Sequence, residues 1–485
     1  MKRLAPVLLA LLAGCSFVPK YQRPAPPVPA TWPQGAAYAP AGEPLPSLSY
    51  PDVFRDPRLQ TIITRALANN RDLRIAAANI AAARGQYRVA RADRFPTLGS
   101  NNTGSVIDPG TGRTNNNGAP VIGGERTTFN LSFGATAFEI DLFGRVAALA
   151  QAARNQYFAS EAGARATRLT LVGDIATAWL QYGADQSLLE LARQTERTAS
   201  DAIRLVRARV DGGVAPRSDL TQAETVLALA RSNLAQQTTA VAQDVNALEL
   251  LVGAPVEPAL LPASIEQAGP TIADLPAGTQ STLLLRRPDI VQAEYQLRAV
   301  NAQVGAARAA MFPRISFTAL GGLASNNFIE QLFTTRAFNY SLIPGINYPV
   351  FAGGRAKANL AIARAQFDAA LATYERSIQT AFREVADALA RRGTIEAQLG
   401  AQNDLTRAAS ETFRLTEARY RGGIDSYLAN LDAQRALYQA QQTLVTTQLV
   451  AAANRVALYR ALGGDALIDA APTGPVPATP AAAIR

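Results

Sequence analysis

Two stretches of this chain, Arg145 to Asp211 and Arg355 to Tyr420, run for 67 and 66 residues without a proline. Proline removes a backbone donor and clashes with the preceding turn, so its absence leaves room for unbroken helices, each ~100 Å long at 1.5 Å per residue. A helix of that length does not belong to a compact domain, where the mean is about 11–12 residues. In the second stretch Phe367, Leu371, Tyr374, Ile378, Phe382, Val385 and Leu389 step by three and four, forming one apolar stripe with alanines between. That spacing by itself fits an antiparallel coiled coil. Apolar residues are 48% of the chain and aromatics only 7%, so closely packed helices are favoured over a bulky core.

The long stretches belong to a pattern written twice. Asp72-Leu73, Arg91 and Phe95-Pro96 return as Asp289-Ile290, Arg308 and Phe312-Pro313 at an offset of 217 residues. Gly144-Arg145 and Gly212-Gly213 return as Gly354-Arg355 and Gly422-Gly423 at an offset of 210. Each copy reads helix, strand, loop, strand, very long helix, glycine turn, helix, and the first has the longer loop. The organisation follows: a signal segment at 1–14, a proline-rich lipidated tether at 15–50, a first repeat at 51–253, a linker at 254–285, a second repeat at 286–464, and a disordered tail at 465–485.

Between the helices lie segments of another period. Phe129, Leu131, Phe133, Ala135 and Ala137 alternate with polar or small residues, and Phe338, Tyr340, Leu342, Ile346 and Tyr348 largely do so. With Thr97 to Ser105 and Arg314 to Ala324 they make two hairpins, tipped by Asn101 to Gly124 and by a loop near Ser325 to Arg336. Strands of about 10 residues with one greasy face suit a transmembrane β-barrel, although a soluble sandwich shows the same alternation. No apolar run reaches the ~18 residues of a membrane helix, so any spanning falls to the strands. Four strands cannot close when the smallest barrels use about 8, which requires several chains in one barrel.

The chain has no histidine and one cysteine, which excludes the imidazole-dependent triads, His-ligated metals and a disulfide framework. The nucleophile-elbow, phosphate-loop and dinucleotide frames are also missing, so an enzyme is not expected. The single cysteine closes Leu12-Ala13-Gly14-Cys15, behind a basic start and an apolar run from Val7 to Ala13. This frame resembles a bacterial lipobox, which implies cleavage before Cys15 and covalent lipid on it, with Ser16 next in line directing the product to the outer membrane. Removal of Lys2 and Arg3 lowers the formal charge from +9 to +7. An exported chain with scattered arginines does not expect nucleic acid as a partner.

These residues together resemble the outer-membrane factor family of TolC-like efflux channels, in its NodT-type lipoprotein branch. The resemblance covers nearly the whole chain. It is carried by Cys15 with Pro19, Tyr21 and Pro24; Phe54 with Asp56-Pro57; Asn69-Asn70 with Asp72-Leu73; the run Phe138 to Arg145; Arg286-Arg287-Pro288-Asp289-Ile290; and Pro349-Val350-Phe351 with Gly353-Gly354-Arg355. It implies a mainly α fold with a transmembrane β part: a homotrimer whose twelve-stranded barrel continues as a helical barrel across the periplasm, with the stretches near 50–70 and 254–285 packed as an equatorial belt. The implied function is a passive exit duct for small molecules such as drugs, opened by a periplasmic adaptor and an inner-membrane pump, with no cofactor or metal. The alternative is a non-conducting coiled-coil lipoprotein that tethers envelope layers.

The glycine pairs then mark the periplasmic tips, and Gly212, Gly213, Val214, Ala215, Gly422, Gly423 and Ile424 are the docking candidates for the adaptor. Plain turn chemistry would also place glycine there. Beside them Asp219, Arg419, Tyr420 and Asp432 match positions where the family has the polar constriction that keeps the channel closed. Asp219 also opens Asp219-Leu220-Thr221-Gln222, which reads as a helix cap, and the two roles are compatible. The family's second acid, a turn before Asp432, is Ala429 here.

Overall fold

The computed structural model describes residues 16–38, 49–107, 126–275, 278, 280–325, 332–334 and 337–478. Cys15, the signal segment 1–14, most of both hairpin tips and residues 479–485 lie outside these. Helices dominate: α1 (Pro57–Asn69), α2 (Arg71–Ala92), α3 (Arg145–Asp211), α4 (Arg217–Val252), α5 (Pro288–Ala309), α6 (Arg355–Arg421) and α7 (Tyr427–Leu462). Lengths of 22, 67 and 36 residues occur twice in the same order, as α2, α3, α4 and α5, α6, α7. No helix of the described residues is long and apolar enough to cross a membrane.

The chain divides into two compact units: residues 1–24, 81–159 and 294–373, and residues 25–80, 160–293 and 374–485. The first contains an antiparallel sheet in the order β1 (Leu98–Ile107), β2 (Arg126–Ile140), β3 (Arg314–Ser325), β4 (Phe338–Asn347). Its register puts Phe133, Gly321 and Tyr340 in one row, Leu131, Leu323 and Phe338 in the next, and Ile140, Ile315 and Ile346 in another. The opposite face carries Asn101, Asn130, Ser132, Asn339 and Ser341, interrupted by a few apolar residues such as Ile343. Leu131, Phe133, Phe338, Tyr340, Leu342 and Ile346 are all exposed. The phase changes once. Thr136 and Ala137 together face Thr318 in a bulge, Ala137 takes a φ of 52°, and Phe138, not Ala137, rejoins the apolar face.

The strand-to-helix joint explains the run from Phe138 to Arg145. Glu139 binds the Arg145 guanidinium at 2.8 and 2.6 Å, while Asp141 accepts the backbone N–H of Ala147 at 2.7 Å, supplying the first turn of α3 with an acceptor. Gly144 makes the bend at φ 71°.

In the second unit Asp56 caps α1 through the Arg58 N–H at 2.8 Å, with Pro57 at the first helical position, where its missing donor costs nothing. Asn70 does the same for α2 through Leu73 and also donates to the Leu251 carbonyl at 2.8 Å. The stretches near 50–70 and 254–285 lie against each other: Phe54 bridges Ile272, and Ala273 donates to the Val53 carbonyl at 2.8 Å. Trp179 of α3 is fully buried beside them and donates to the Leu260 carbonyl at 3.0 Å.

One sequence expectation gains detail and another needs correction. The proline-rich segment is extended as expected, and its described part is packed down: Trp32 is buried against Phe382, and Ser281 donates to the Pro29 and Ala30 carbonyls at 2.6 and 2.9 Å. The tail is not disordered over 465–478. It forms a hairpin, β5 (Ile468–Ala471) with β6 (Gly474–Pro477), because Ile468 is fully buried and Asp465 takes both nitrogens of Arg168 at 2.8 Å. Proline at the end of an edge strand loses no ladder bond that the hairpin needs.

Candidate functional site

Both glycine turns close in the same way. Val214 donates to the Arg209 carbonyl and Gly213 to that of Val210, at 2.9 and 3.0 Å; Ile424 and Gly423 repeat this with Arg419 and Tyr420 at the same distances. These are Schellman motifs, which need a left-handed residue at their fifth position. Gly213 and Gly423 supply it at φ 72° and 75°. Gly212 and Gly422 do not have positive φ. The residue after each turn glycine normally folds back on its own helix, but Val214 and Ile424 stand 69% and 67% exposed.

Above the turns sits a small core. Tyr420 is 4% exposed and packs with Val206, Ala223, Tyr427 and Leu431, its ring 5.5 Å from that of Tyr427. Arg209 reaches over from the first turn, its guanidinium 4.8 Å from the Tyr420 ring centroid and its Nη1 donating to the Tyr420 carbonyl at 2.9 Å. The Tyr420 hydroxyl is buried with no hydrogen-bond partner among the described residues. Burial lifts the Tyr427 phenol to about 12 and raises that of Tyr420, where the Arg209 charge works in the opposite direction and Asp219 in the same one.

The four residues expected at a constriction are only partly brought together. Asp219 lies within electrostatic reach of Tyr420 and Tyr427. Arg419 turns away from them and grips Asp425 of its own turn with two bonds, at 2.8 and 2.9 Å; that bond, and then the Arg419 charge, hold the Asp425 carboxyl low. Asp432 is exposed and pairs loosely with Arg435 at 3.8 Å. Asp219 is not a cap: α4 starts at Arg217 after Pro216, so Asp219 is its third residue, where a carboxylate favours the positive end of the helix. In the second turn Ser426 caps α7 through the Ala429 N–H at 3.4 Å.

Arg209, Asp425 and Tyr427 were not expected from sequence. One signal could have found Arg209, since it lies 210 positions before Arg419. Among the described residues no group of three or more acids could hold a metal ion.

The family model for the outer membrane efflux protein matches residues 62–254 and 280–464. The chain is 43% identical to the solvent efflux pump outer membrane protein SrpC of Pseudomonas putida, over 96% of this chain and 98% of that one. Among solved structures it resembles a membrane protein from Pseudomonas aeruginosa, with a TM-score of 0.83, 37% identity and coverage of 93% and 98%. It also resembles the open state of the MtrE outer membrane channel of Neisseria gonorrhoeae, with a TM-score of 0.81, 33% identity and coverage of 94% and 100%. The chain therefore belongs to the outer membrane efflux protein family.

Proposed function

We propose that the protein is the outer-membrane exit duct of an efflux or secretion system: three copies, each lipidated on Cys15, close a twelve-stranded barrel that continues as a helical tunnel in the periplasm. The observation that carries this reading is the four-stranded sheet. Its apolar face is exposed, and β1 and β4 each leave one edge unpaired among the described residues. A hydrocarbon environment satisfies the apolar face, and only closure with further strands satisfies the edges. Helix α2 points the same way: it buries no residue and exposes Ile75 and Val89, whereas its counterpart α5 is buried along much of its length.

The duct moves cargo passively, driven by an inner-membrane pump that reaches it through a periplasmic adaptor. Val214 and Ile424 are the apolar contacts the adaptor would engage. Tyr420, Tyr427 and Arg209 with Asp219, and Arg419 with Asp425, would hold the helix ends together when the duct is shut. Three copies of Asp432 around one axis would form an acidic ring that favours cations. Mass measurement in detergent should give three chains, and the protein in planar bilayers should conduct. A stable monomer, or a trimer that never conducts even with the tips destabilised, would favour the envelope tether instead.

A further inference from the structure

Residues 16–24 leave a trail of contacts on the first unit that an idle tether would not need. Phe17 stacks on Phe312 at 4.7 Å, Phe312 on Phe143 at 4.8 Å, and Phe17 also approaches Phe143 at 6.4 Å. Phe143 lies just after β2 and Phe312 just before β3. The three rings therefore join the base of the strand pair at which the two repeats meet. Further along, Val18 occupies the space a side chain would take at Gly305, where an added Cβ would come within 2.6 Å of the Val18 Cα. Asn301 donates to the Pro19 carbonyl at 2.8 Å.

The segment ends on a buried acid. Glu294 of α5 is 0% exposed. It receives the Arg23 guanidinium at 2.8 Å, that of Arg298 at 2.6 Å and the Tyr21 hydroxyl at 3.3 Å, and Arg298 also stacks over the Tyr21 ring at 4.9 Å. A buried carboxylate stripped of one of its partners is strongly unfavourable, so this end of the segment is tied down.

We infer that residues 16–24 clamp the base of the transmembrane sheet, so that the integrity of β2 and β3 depends on this segment being seated. The link to lipid rests on the lipidation of Cys15 proposed above; the clamp does not. Phe17 follows Cys15 by two residues in the sequence, so the proposed lipid and the clamp belong to one short segment.

Hydrogen exchange on the full-length protein in detergent tests this. Arg23→Glu sets an acid against Glu294, and Gly305→Val fills the space of Val18. Each should speed exchange in residues 16–24, and also in 129–140 and 314–325, by roughly tenfold or more. The Arg23 side chain is 39% exposed and lies outside the helices and strands, so Arg23→Glu keeps the test open if Gly305→Val fails to fold. Cys15→Ser should leave all three stretches protected. Faster exchange confined to 16–24 would overturn the clamp, as would a Cys15→Ser protein loosened as much as Arg23→Glu. Absence of an acyl group on wild-type Cys15 would overturn the lipid reading alone.

Discussion

The two helix turns share a backbone and differ in almost everything attached to it. In the second turn Arg419 is held by Asp425 and α7 is capped by Ser426. Counting back 210 positions, the first turn has Arg209 and, in place of Asp425 and Ser426, Ala215 and Pro216. With alanine at the position equivalent to Asp425, Arg209 crosses to the Tyr420 ring and carbonyl. The second turn is thus self-sufficient, and the first leans on it. One copy of the repeated hairpin, without the internal partner that the other has, takes a partner from that other copy.

Breaking the shared core should have the largest effect. Tyr420→Ala removes a buried ring and is expected to cost the tip ~3–5 kcal/mol, seen as faster hydrogen exchange over 203–226 and 420–431 and as higher bilayer conductance. Next comes the comparison of the two arginines. Arg209→Ala loses a charged hydrogen bond and the ring contact, worth about 1.5–3 kcal/mol, whereas the Arg419–Asp425 pair is solvent-exposed and contributes less. Conductance should rise more for Arg209→Ala; the reverse order would mean that the first turn does not lean on the second.

The glycines offer a finer measure. Gly213→Ala and Gly423→Ala should each lower stability by roughly 1 kcal/mol because of their positive φ, while Gly212→Ala and Gly422→Ala should be close to neutral in thermal melts. Equal effects at all four positions would remove the Schellman account of both turns.

The smallest effect is one of pH, and it separates the hairpins again. In the first, burial and then the neighbouring Asp185 lift the Asp244 carboxyl to about 7. The corresponding residues of the second are Ile395 and Asn454. A folded value above the unfolded ~4 means the native chain holds an extra proton between the two, so that contribution is complete below ~4 and lost as pH rises through about 7. Melting should fall modestly from about pH 5 to about pH 8, and Asp244→Asn should flatten the fall. A steeper loss in Asp244→Asn would assign the pH dependence elsewhere.

Helix lengths and turn sites are legible in the sequence because they depend on local chemistry: no proline from Arg145 to Asp211, and glycine where φ must be positive. Strand faces are legible as far as Ala135 and fail at Ala137, since nothing in the alternation announces that two residues will share one partner. Side-chain partners are less legible still. Arg419 finds Asp425 six residues away by turn geometry, and Arg209 finds Tyr420 across 211 positions only because the two hairpins pack together. The tail misleads for the same reason: its prolines read as disorder, while Ile468 finds a buried site that only the folded helices create.

The unpaired edges of β1 and β4 have a genetic consequence. In the proposed ring of three, every copy would depend on both neighbours for an edge, so a chain that folds but cannot pair on one side would still occupy a place and leave the ring open. If half the copies in a cell were of that kind, only roughly one ring in eight would be wholly sound. Lesions that block a sheet edge while leaving the helices intact should therefore be dominant, whereas lesions that prevent folding altogether should be recessive.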